Sequence, residues 1–252
     1  MQEIAYAKIN LALHVRGREP DGYHRIETLF AFCEHGDVLS AVDANRLSLD
    51  VTGPFAAALD GEDDNLVLQA ARALGRTAAF TLDKRLPVAA GLGGGSADAA
   101  AALRMLGGGA DIAARLGADV PACLVSRTSR GTGRGDEIEQ VELPGLSGTP
   151  VLLVNPGIKL STADVFHAWD GEDRGPLEDW ERGRNDLEAP AIRLVPEIVD
   201  VLDALSGARI ARMSGSGATC FGLYRSGAER DAAAARIAAD RPGWWLSQTG
   251  LR

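Results

Sequence analysis

The sequence predicts a mixed α+β fold in two domains, and three features of its 252 residues support this prediction. Residues 4–15 alternate apolar and polar side chains, which is the period of a half-buried strand. Residues 87–103, PVAAGLGGGSADAAAAL, place a glycine-rich loop directly before an alanine-rich helix. Residues 144–150, PGLSGTP, have the Pro, Gly and Ser content of a linker. We therefore expect one domain over residues 1–145 and a second over 146–252.

The first half of the chain combines strands with short helices. The opening strand has a polar side with Lys8 and Asn10, and the strand alone favours a solvent-exposed side of an antiparallel sheet. A turn at Pro20-Asp21-Gly22 leads into a second strand. An acidic loop is expected at residues 61–64. Further strands are predicted at 37–42, 46–51 and 79–82, and helices at 65–74, 96–106 and 111–116.

The second half repeats this mixture. Strands are predicted at 151–154, 209–213 and 219–224, with a last strand that contains Trp244 and Trp245. Ser161-Thr162-Ala163-Asp164 is a capping-box pattern that begins a short helix. A longer helix is expected around residues 191–205, and an alanine-rich helix follows the strand at 219–224.

Composition excludes several classes of protein. The net charge of −9 argues against nucleic-acid binding, which needs a basic surface. Three widely spaced cysteines are typical of reduced core thiols, and no apolar run reaches the ~20 residues of a membrane span. The first residues, MQEIAYAKIN, lack the charged and apolar regions of a secretory signal. We expect a cytoplasmic protein without nucleic-acid or membrane partners.

The glycine loop has the chemistry of a phosphate site. Consecutive glycines let several backbone N–H groups converge on one anion, and the following helix adds its own unpaired N–H groups. A dinucleotide fingerprint starting at Gly91 would need glycine where Ser96 stands, and a Walker A loop would need a lysine that residues 86–103 lack. The loop alone is equally compatible with a flexible turn before a packed helix.

Further motifs give the loop a family context. The loop resembles the P-x-x-x-G-L-G-S/G-S motif of the GHMP kinases, and it occurs with AKINLAL, DGYHRIETLF, GADVP, RND and MSGSGATCF, in an order typical of one member. The resemblance spans nearly the whole chain. It implies an N-terminal domain similar to domain 2 of ribosomal protein S5, a ferredoxin-like C-terminal domain, ATP as co-substrate, and Mg²⁺.

The resemblance also implies a catalytic pair, Lys8 and Asp119. An acceptor hydroxyl must lose a proton as it attacks the γ-phosphorus, and a carboxylate within hydrogen-bond reach can take it. The lysine would offset charge that develops near the hydroxyl. Asp119 also precedes Val120-Pro121, so it could instead be the N-cap of a helix.

The nucleotide site follows from the same resemblance. Residues expected to contact ATP are Asn65, Pro87, Val88, Ala89, Ala90, Gly91, Leu92, Gly93, Gly94, Gly95, Ser96 and Ala97. Asn65 and Ser96 could equally be helix caps. Asp98 is interpreted as a first-turn acid favoured by the helix dipole.

Three positions of the loop depart from the family pattern. Val88 and Ala89 stand where relatives often have methionine and glycine, and Ala97 stands where they often have a second serine. The alanine at 97 puts a side-chain phosphate contact in doubt, whereas the backbone N–H groups are unaffected. No firm metal ligand is predicted, although the Ser96 hydroxyl could contact phosphate or the metal instead of capping the helix.

The acceptor site is implied to involve Asn10, Tyr23, His24, Phe166 and Gly215. Aromatic rings with a few polar contacts suit a pyrimidine, because stacking gives area and hydrogen bonds give identity. The expected partner is a small molecule, a methylerythritol linked to cytidine diphosphate. Phe166 could also be the apolar face of its short helix.

Two other functions are compatible with the family motifs. One is a GHMP kinase for a different alcohol, such as homoserine or mevalonate. The other is a nucleotide-binding regulator without catalysis, which the presence of both Lys8 and Asp119 disfavours. We expect a monomer or a weak homodimer.

Overall fold

The computed structural model describes residues 1–60 and 64–252. The predicted acidic loop at 61–64 lies outside these residues except for Asp64. The strands are β1 (Gln2–Arg18), β2 (His24–Asp43), β3 (Ser48–Thr52), β4 (Ala78–Asp83), β5 (Ser129–Thr132), β6 (Glu137–Gln140), β7 (Pro150–Asn155), β8 (Ile210–Met213), β9 (Cys220–Leu223) and β10 (Trp245–Gly250). The α-helices are α1 (Leu66–Ala73), α2 (Gly94–Leu106), α3 (Ala110–Leu116), α4 (Val120–Val125), α5 (Thr162–His167), α6 (Glu188–Leu194), α7 (Glu197–Ala204) and α8 (Gly227–Asp240).

The first sheet is formed by the six strands β1 to β6. Its hydrogen-bonded order is β3-β4-β2-β5-β6, and β1 pairs with β2 along almost its whole length. All pairs are antiparallel except β3 with β4. The helices α1 to α4 share one hydrophobic core with this sheet.

The second sheet contains the other four strands, in the order β10-β7-β9-β8, and all of its pairs are antiparallel. Along the chain, helices α5 to α7 separate β7 from β8, and α8 separates β9 from β10. This β-α-β-β-α-β order is the ferredoxin-like arrangement. The mixed helix and sheet content predicted from the sequence is confirmed.

Strand β1 joins the two sheets. Ala7, Ile9 and Leu11 pack with Val151 and Leu153 of β7 in one core. The opposite side of β1 was expected to face solvent, and this expectation is wrong. Lys8 is 3% exposed and Asn10 2% exposed, because the glycine loop and a second glycine-rich turn, residues 214–217, cover them. The polar side of the strand therefore faces an internal site.

Helix α2 begins two residues earlier than predicted. Its N-cap is Gly93, with a φ of +62°, and its C-cap is Gly107, with a φ of +78°. The helix buries Ala99–Ala102 completely, and such small side chains allow α2 to lie close to the sheet. The glycine loop therefore runs directly into a helix that is packed tightly against the sheet.

Several predicted elements differ from the structure. The sequence predicts one strand after the turn at residues 20–22 and another at 37–42. In the structure the two are one long strand, β2, whose register with β1 shifts between Tyr6 and Lys8. The helix expected at 191–205 is two helices, because Pro196 lacks an N–H donor and Val195 leaves the helical conformation. The hairpin β5–β6 is not predicted from the sequence, and helix α4 begins where Asp119-Val120-Pro121 offered a helix start as an alternative.

The predicted domain boundary between residues 145 and 146 stays a prediction. It falls between β6 and β7, which belong to different sheets. The chain end returns to the first sheet, where Leu251 bridges to Cys33.

Cys33, Cys123 and Cys220 are free and buried, and burial raises the pKa of the Cys33 thiol to about 12. Within residues 1–60 and 64–252, no helix has the length and hydrophobicity of a membrane span.

Candidate active site

The internal site is a cavity of about 490 Å³ between β1, the glycine loop and the second glycine-rich turn. This volume lies within the range of small-molecule sites. Among the predicted site residues, those that line it are Lys8, Asn10, Asn65, Pro87, Val88, Ala89, Ala90, Gly91, Gly93, Gly94, Gly95, Ser96, Asp119, Phe166 and Gly215. The structure thus brings residues from both halves of the chain to one cavity.

The glycine loop is wedged between β1 and the second glycine-rich turn. The backbone N–H of Lys8 donates to the carbonyl oxygen of Leu92 at 2.9 Å. A Cβ atom at Gly91, whose φ is +76°, would lie 2.2 Å from the carbonyl oxygen of Ser214. Only glycine fits there. The N-terminus of α2 opens on the cavity, and its first N–H groups have no partner within the helix. The loop can therefore bind an anion.

Ala89 occupies a backbone conformation that favours glycine, since its φ is +53°. For a residue with a Cβ this conformation costs about 1–2 kcal/mol. We expect Ala89→Gly to raise the free energy of unfolding by about 0.5–1 kcal/mol, and the melting temperature by about 1–4 °C. Thermal unfolding measures the effect. Ala90→Gly is the control, because Ala90 has a negative φ, and it should lower the melting temperature. A lower melting temperature for Ala89→Gly would contradict the interpretation.

The predicted catalytic pair is in contact. The Lys8 ammonium lies 3.0 Å from Asp119 Oδ2 and donates to Asn10 Oδ1 at 2.9 Å. The Lys8 side chain is 4% exposed, whereas that of Asp119 is 36% exposed and reaches the cavity. Asp119 stands at the N-cap position of α4, but its side chain makes no capping bond. Asp119 is thus the N-cap of α4 by position only, and its carboxylate faces the ammonium.

Asn10 is oriented by a short chain of hydrogen bonds. Its side-chain Nδ2 donates to Thr28 Oγ1 at 2.8 Å, and its backbone N–H donates to Ser214 Oγ at 3.2 Å. The Ser214 hydroxyl in turn donates to the carbonyl oxygen of Gly91 at 2.8 Å. Ser214 thus links β1 to the glycine loop. Sequence reasoning assigned no role to Thr28 or Ser214, although Ser214 belongs to the MSGSGATCF motif.

The second glycine-rich turn is held by the RND motif. Asn185 Nδ2 donates to the carbonyl oxygens of Met213 and Gly215, both at 2.8 Å. Asp186 Oδ2 accepts the backbone N–H of Val15 at 2.8 Å. Gly215 is thereby fixed at the cavity wall. The motif was recognised in the sequence, but this tethering role was not predicted.

The cap alternatives for Asn65 and Ser96 have different outcomes. Asn65 Oδ1 accepts the backbone N–H of Val67 at 2.9 Å, so Asn65 is the N-cap of α1 while it also lines the cavity. Ser96 lies inside α2 and is not its cap, since Gly93 takes that position. Contacts of both residues with a nucleotide stay predictions.

Four predicted site residues do not line the cavity. Leu92 and Ala97 are buried in the apolar cores at 1% and 2% exposure. Tyr23 is 58% exposed, and the Arg134 guanidinium lies 4.1 Å from its ring centroid. His24 is buried behind Phe166, with ring centroids 5.0 Å apart. Burial, with a smaller contribution from Arg18, lowers the pKa of His24.

The interpretation of Asp98 as a first-turn acid is wrong. Because α2 begins at Gly94, Asp98 lies beyond the first turn, and it is 2% exposed. Its Oδ2 pairs with the Lys84 ammonium at 2.7 Å, and the same ammonium pairs with Asp37 Oδ2 at 2.6 Å. Burial, only partly offset by Lys84, raises the pKa of Asp98 to about 7. In the sequence, Asp83-Lys84-Arg85 has the character of a charged surface loop and gives no sign of this burial.

Comparisons with known proteins show to which family this chain belongs. Family models described as GHMP kinases N terminal domain and GHMP kinases C terminal match residues 65–127 and 170–242. A relative from Rhizorhabdus wittichii, named 4-diphosphocytidyl-2-C-methyl-D-erythritol kinase, is 56% identical over 99% of this chain and 94% of its own length. This chain belongs to the GHMP kinases. The two-domain GHMP kinase fold predicted from the sequence is confirmed, and as a GHMP kinase the chain uses ATP as co-substrate.

Other GHMP kinases extend the comparison. A relative of the same name from Paracoccus denitrificans is 52% identical over 99% of this chain and 96% of its own length. A crystal structure of 4-(cytidine 5'-diphospho)-2C-methyl-D-erythritol kinase has a TM-score of 0.81 at 34% identity and covers 99% of both chains. Mevalonate kinase from Methanococcus jannaschii has a TM-score of 0.64 at 11% identity, over 100% of this chain and 98% of its own, and shows the shared fold alone.

Proposed function

We propose that the chain transfers the γ-phosphoryl group of ATP to the 2-hydroxyl of 4-diphosphocytidyl-2-C-methyl-D-erythritol, giving the 2-phosphate and ADP. This reaction would serve non-mevalonate isoprenoid biosynthesis. The observation that carries the proposal is the 56% identity, over 99% of the chain, to a relative named for this activity. The contact between Lys8 and Asp119 in the cavity wall supports it independently.

The glycine loop would hold the phosphates of ATP. Its backbone N–H groups and the N-terminus of α2 open on the cavity, and both favour negative charge. Asn65, at the start of α1, would lie beside the adenine. Leu92 and Ala97 would act only through packing, because both are buried in apolar cores.

Mg²⁺ fits this site through the nucleotide. When bound, Mg²⁺ would supply positive charge against the negative charge of the phosphates, and a cation held mainly by the nucleotide would need few protein ligands. Among residues 1–60 and 64–252 there is no cluster of three His, Cys, Asp or Glu side chains for a metal. The Ser96 hydroxyl, on the first turn of α2 at the cavity wall, is the side chain we propose to hold the cation.

Asp119 would act as the general base. A carboxylate in the cavity can take the proton of the acceptor hydroxyl as that oxygen attacks phosphorus. Lys8 fixes the position of this carboxylate and lies where charge develops during transfer. Asn10, oriented by Thr28 and Ser214, would hold the acceptor hydroxyl beside them.

The acceptor base would bind at His24 and Phe166, with Tyr23 at the rim. Phe166 lines the cavity, and its ring rests against His24, which also meets the edge of Trp169 at 5.5 Å between centroids. Such a cluster offers a stacking surface with a polar edge. Gly215, which also lines the cavity, would approach the acceptor with its backbone.

Phe166→Ala is expected to raise KM for the cytidylated acceptor about tenfold to a hundredfold, because a stacked base gains about 1–3 kcal/mol. KM for ATP should change less than twofold, since the adenine lies elsewhere. Steady-state kinetics with each substrate varied measures both. Phe55→Ala is the control, because Phe55 packs near Trp245. Equal increases of both KM values would contradict the assignment.

An assay of ADP release with four acceptors tests the proposal. The proposal predicts turnover with the cytidylated acceptor and little with free methylerythritol, homoserine or mevalonate. Preference for one of the uncytidylated alcohols would instead indicate a GHMP kinase of another specificity. If the protein binds ADP but releases no ADP from ATP with any of the four acceptors, the result would indicate a nucleotide-binding regulator.

The remaining proposals concern the setting of the reaction. We propose that the chain works in the cytoplasm as a monomer or weak homodimer, with small molecules as its partners. The net charge of −9 opposes binding to nucleic acid and to anionic membrane surfaces.

A further inference from the structure

Three charged side chains meet beneath the glycine loop. The Lys84 ammonium lies 2.6 Å from Asp37 Oδ2 and 2.7 Å from Asp98 Oδ2. The three side chains are 3%, 0% and 2% exposed, respectively. They come from the end of β4, from β2 and from α2. We call this group the buried clamp.

The buried clamp connects the two ends of the glycine loop. The second carboxylate oxygen of Asp37 accepts the backbone N–H groups of Arg85 and Leu86, at 2.6 and 2.8 Å. These residues directly precede the loop, whereas Asp98 follows it on α2. A continuous path therefore runs from Leu86 through Asp37 and Lys84 to Asp98.

Asp98 depends on Lys84 for this connection. Its other oxygen, Oδ1, is buried and has no hydrogen-bond partner among the described residues. A buried carboxylate without a partner is strongly unfavourable, so the ion pair with Lys84 determines where this part of α2 can lie. A Cβ at Gly94 would also lie only 3.1 Å from the Lys84 nitrogen, which places the clamp directly against the first residue of α2.

We propose that Lys84, Asp37 and Asp98 are positioning residues for phosphoryl transfer. The clamp sets the separation of the loop ends, and thereby the convergence of the loop N–H groups on the nucleotide phosphates. It acts through the backbone: Lys84 and Asp98 border the cavity, but both carboxylates engage the Lys84 ammonium within the clamp, which leaves no net positive charge to attract phosphate. The inference rests on the proposed function, which places ATP phosphates at this loop.

Binding of ADP and of adenosine to four variants tests the clamp. Asp98→Leu removes the link, Lys84→Met/Asp98→Leu removes the ion pair as a unit, and Asp98→Asn keeps an oxygen that accepts from Lys84. Lys159→Met, at an exposed lysine, is the control. Calorimetry gives the dissociation constants, and steady-state kinetics gives KM for the acceptor.

Asp98→Leu and the double variant should each raise Kd for ADP about tenfold to a hundredfold, as loss of one or two charge-assisted phosphate contacts would. Kd for adenosine and KM for the acceptor should change less than about twofold, and Asp98→Asn and Lys159→Met should stay near wild type. If Asp98→Leu does not fold, the double variant decides. In the double variant Asp37 is the one carboxylate of the clamp that remains, and it keeps its two backbone N–H donors after the ammonium is lost.

If Asp98→Leu and the double variant lower the melting temperature but keep the wild-type ratio of ADP to adenosine affinity, the positioning role is overturned and the clamp has a purely structural role. This failure is distinguishable from that of the proposed function. Wild type that binds ADP but does not phosphorylate the cytidylated acceptor contradicts the proposed function alone. If the wild type phosphorylates the cytidylated acceptor and the clamp variants keep the wild-type ratio of ADP to adenosine affinity, the result contradicts the clamp alone.

Discussion

Asp119→Asn is expected to lower kcat by about 10²–10⁴-fold, the usual contribution of a general base. The amide has nearly the shape of the carboxylate but cannot take the acceptor proton. Asp119 makes no capping bond to α4, and the amide oxygen can still accept from the Lys8 ammonium, which also donates to Asn10, so the fold should be kept. KM for ATP should change little, because the phosphates are held by the glycine loop. Steady-state kinetics with the cytidylated acceptor gives both constants.

Asp111→Asn is the matched control for this variant. Asp111 is an exposed acid in the first turn of the neighbouring helix α3, away from the cavity, so its kcat should stay within twofold of wild type. Turnover near the wild-type value in Asp119→Asn would remove Asp119 from the role of base. A large drop in both variants would point to a general electrostatic effect instead.

Gly91→Ala is expected to lower kcat/KM by about 10²-fold, since a displacement of about 1 Å within a catalytic site has effects of this size. The new Cβ would lie 2.2 Å from the carbonyl oxygen of Ser214, and the φ of +76° is unfavourable for alanine. The glycine loop and the second glycine-rich turn would have to separate. Kinetics on protein shown to be folded by circular dichroism measures the loss.

Gly207→Ala separates this effect from the general cost of replacing a glycine. Gly207 has no heavy atom within 4 Å of the position of a new Cβ, so the variant should keep wild-type kinetics. Wild-type kcat/KM in folded Gly91→Ala would show that contact between the two glycine-rich segments is not needed for transfer.

The predictions that succeed rest on local patterns. Ser161 caps α5 through the bond to Asp164 N–H that its sequence pattern indicates. Asn65 caps α1, which is one of the two roles that the sequence allowed for it, because capping involves only neighbouring residues. The cavity-lining part of the glycine loop was identified because its chemistry lies in consecutive residues.

The predictions that fail depend on packing between distant segments. Lys8 and Asn10 resemble the exposed side of a strand, and only Leu92 and Ser214, far along the chain, show why they are buried. Asp98 resembles a surface acid, because its partner Lys84 is separated from it by the whole loop. Alternation along a strand shows that two faces differ, but it does not show what covers the polar one.

The helix expected at residues 191–205 fails for a different reason. Its apolar period continues across Pro196, with Ile198 and Val201 buried on the same core as Ala191. The apolar period alone predicts one helix, yet the missing N–H of Pro196 and the restricted conformation of the residue before it interrupt the helix. Here the sequence contained the signal, and the backbone rule outweighs the side-chain pattern.

The most direct test of the central claim is the chemical identity of the product. The wild-type protein is incubated with ATP and 4-diphosphocytidyl-2-C-methyl-D-erythritol, and the mixture is followed by phosphorus and carbon NMR. We predict one new phosphomonoester resonance in equal amount to ADP, unchanged acceptor diphosphate resonances, and phosphorus coupling at carbon 2. ADP accompanied only by inorganic phosphate, or phosphate on any other position, would contradict the account.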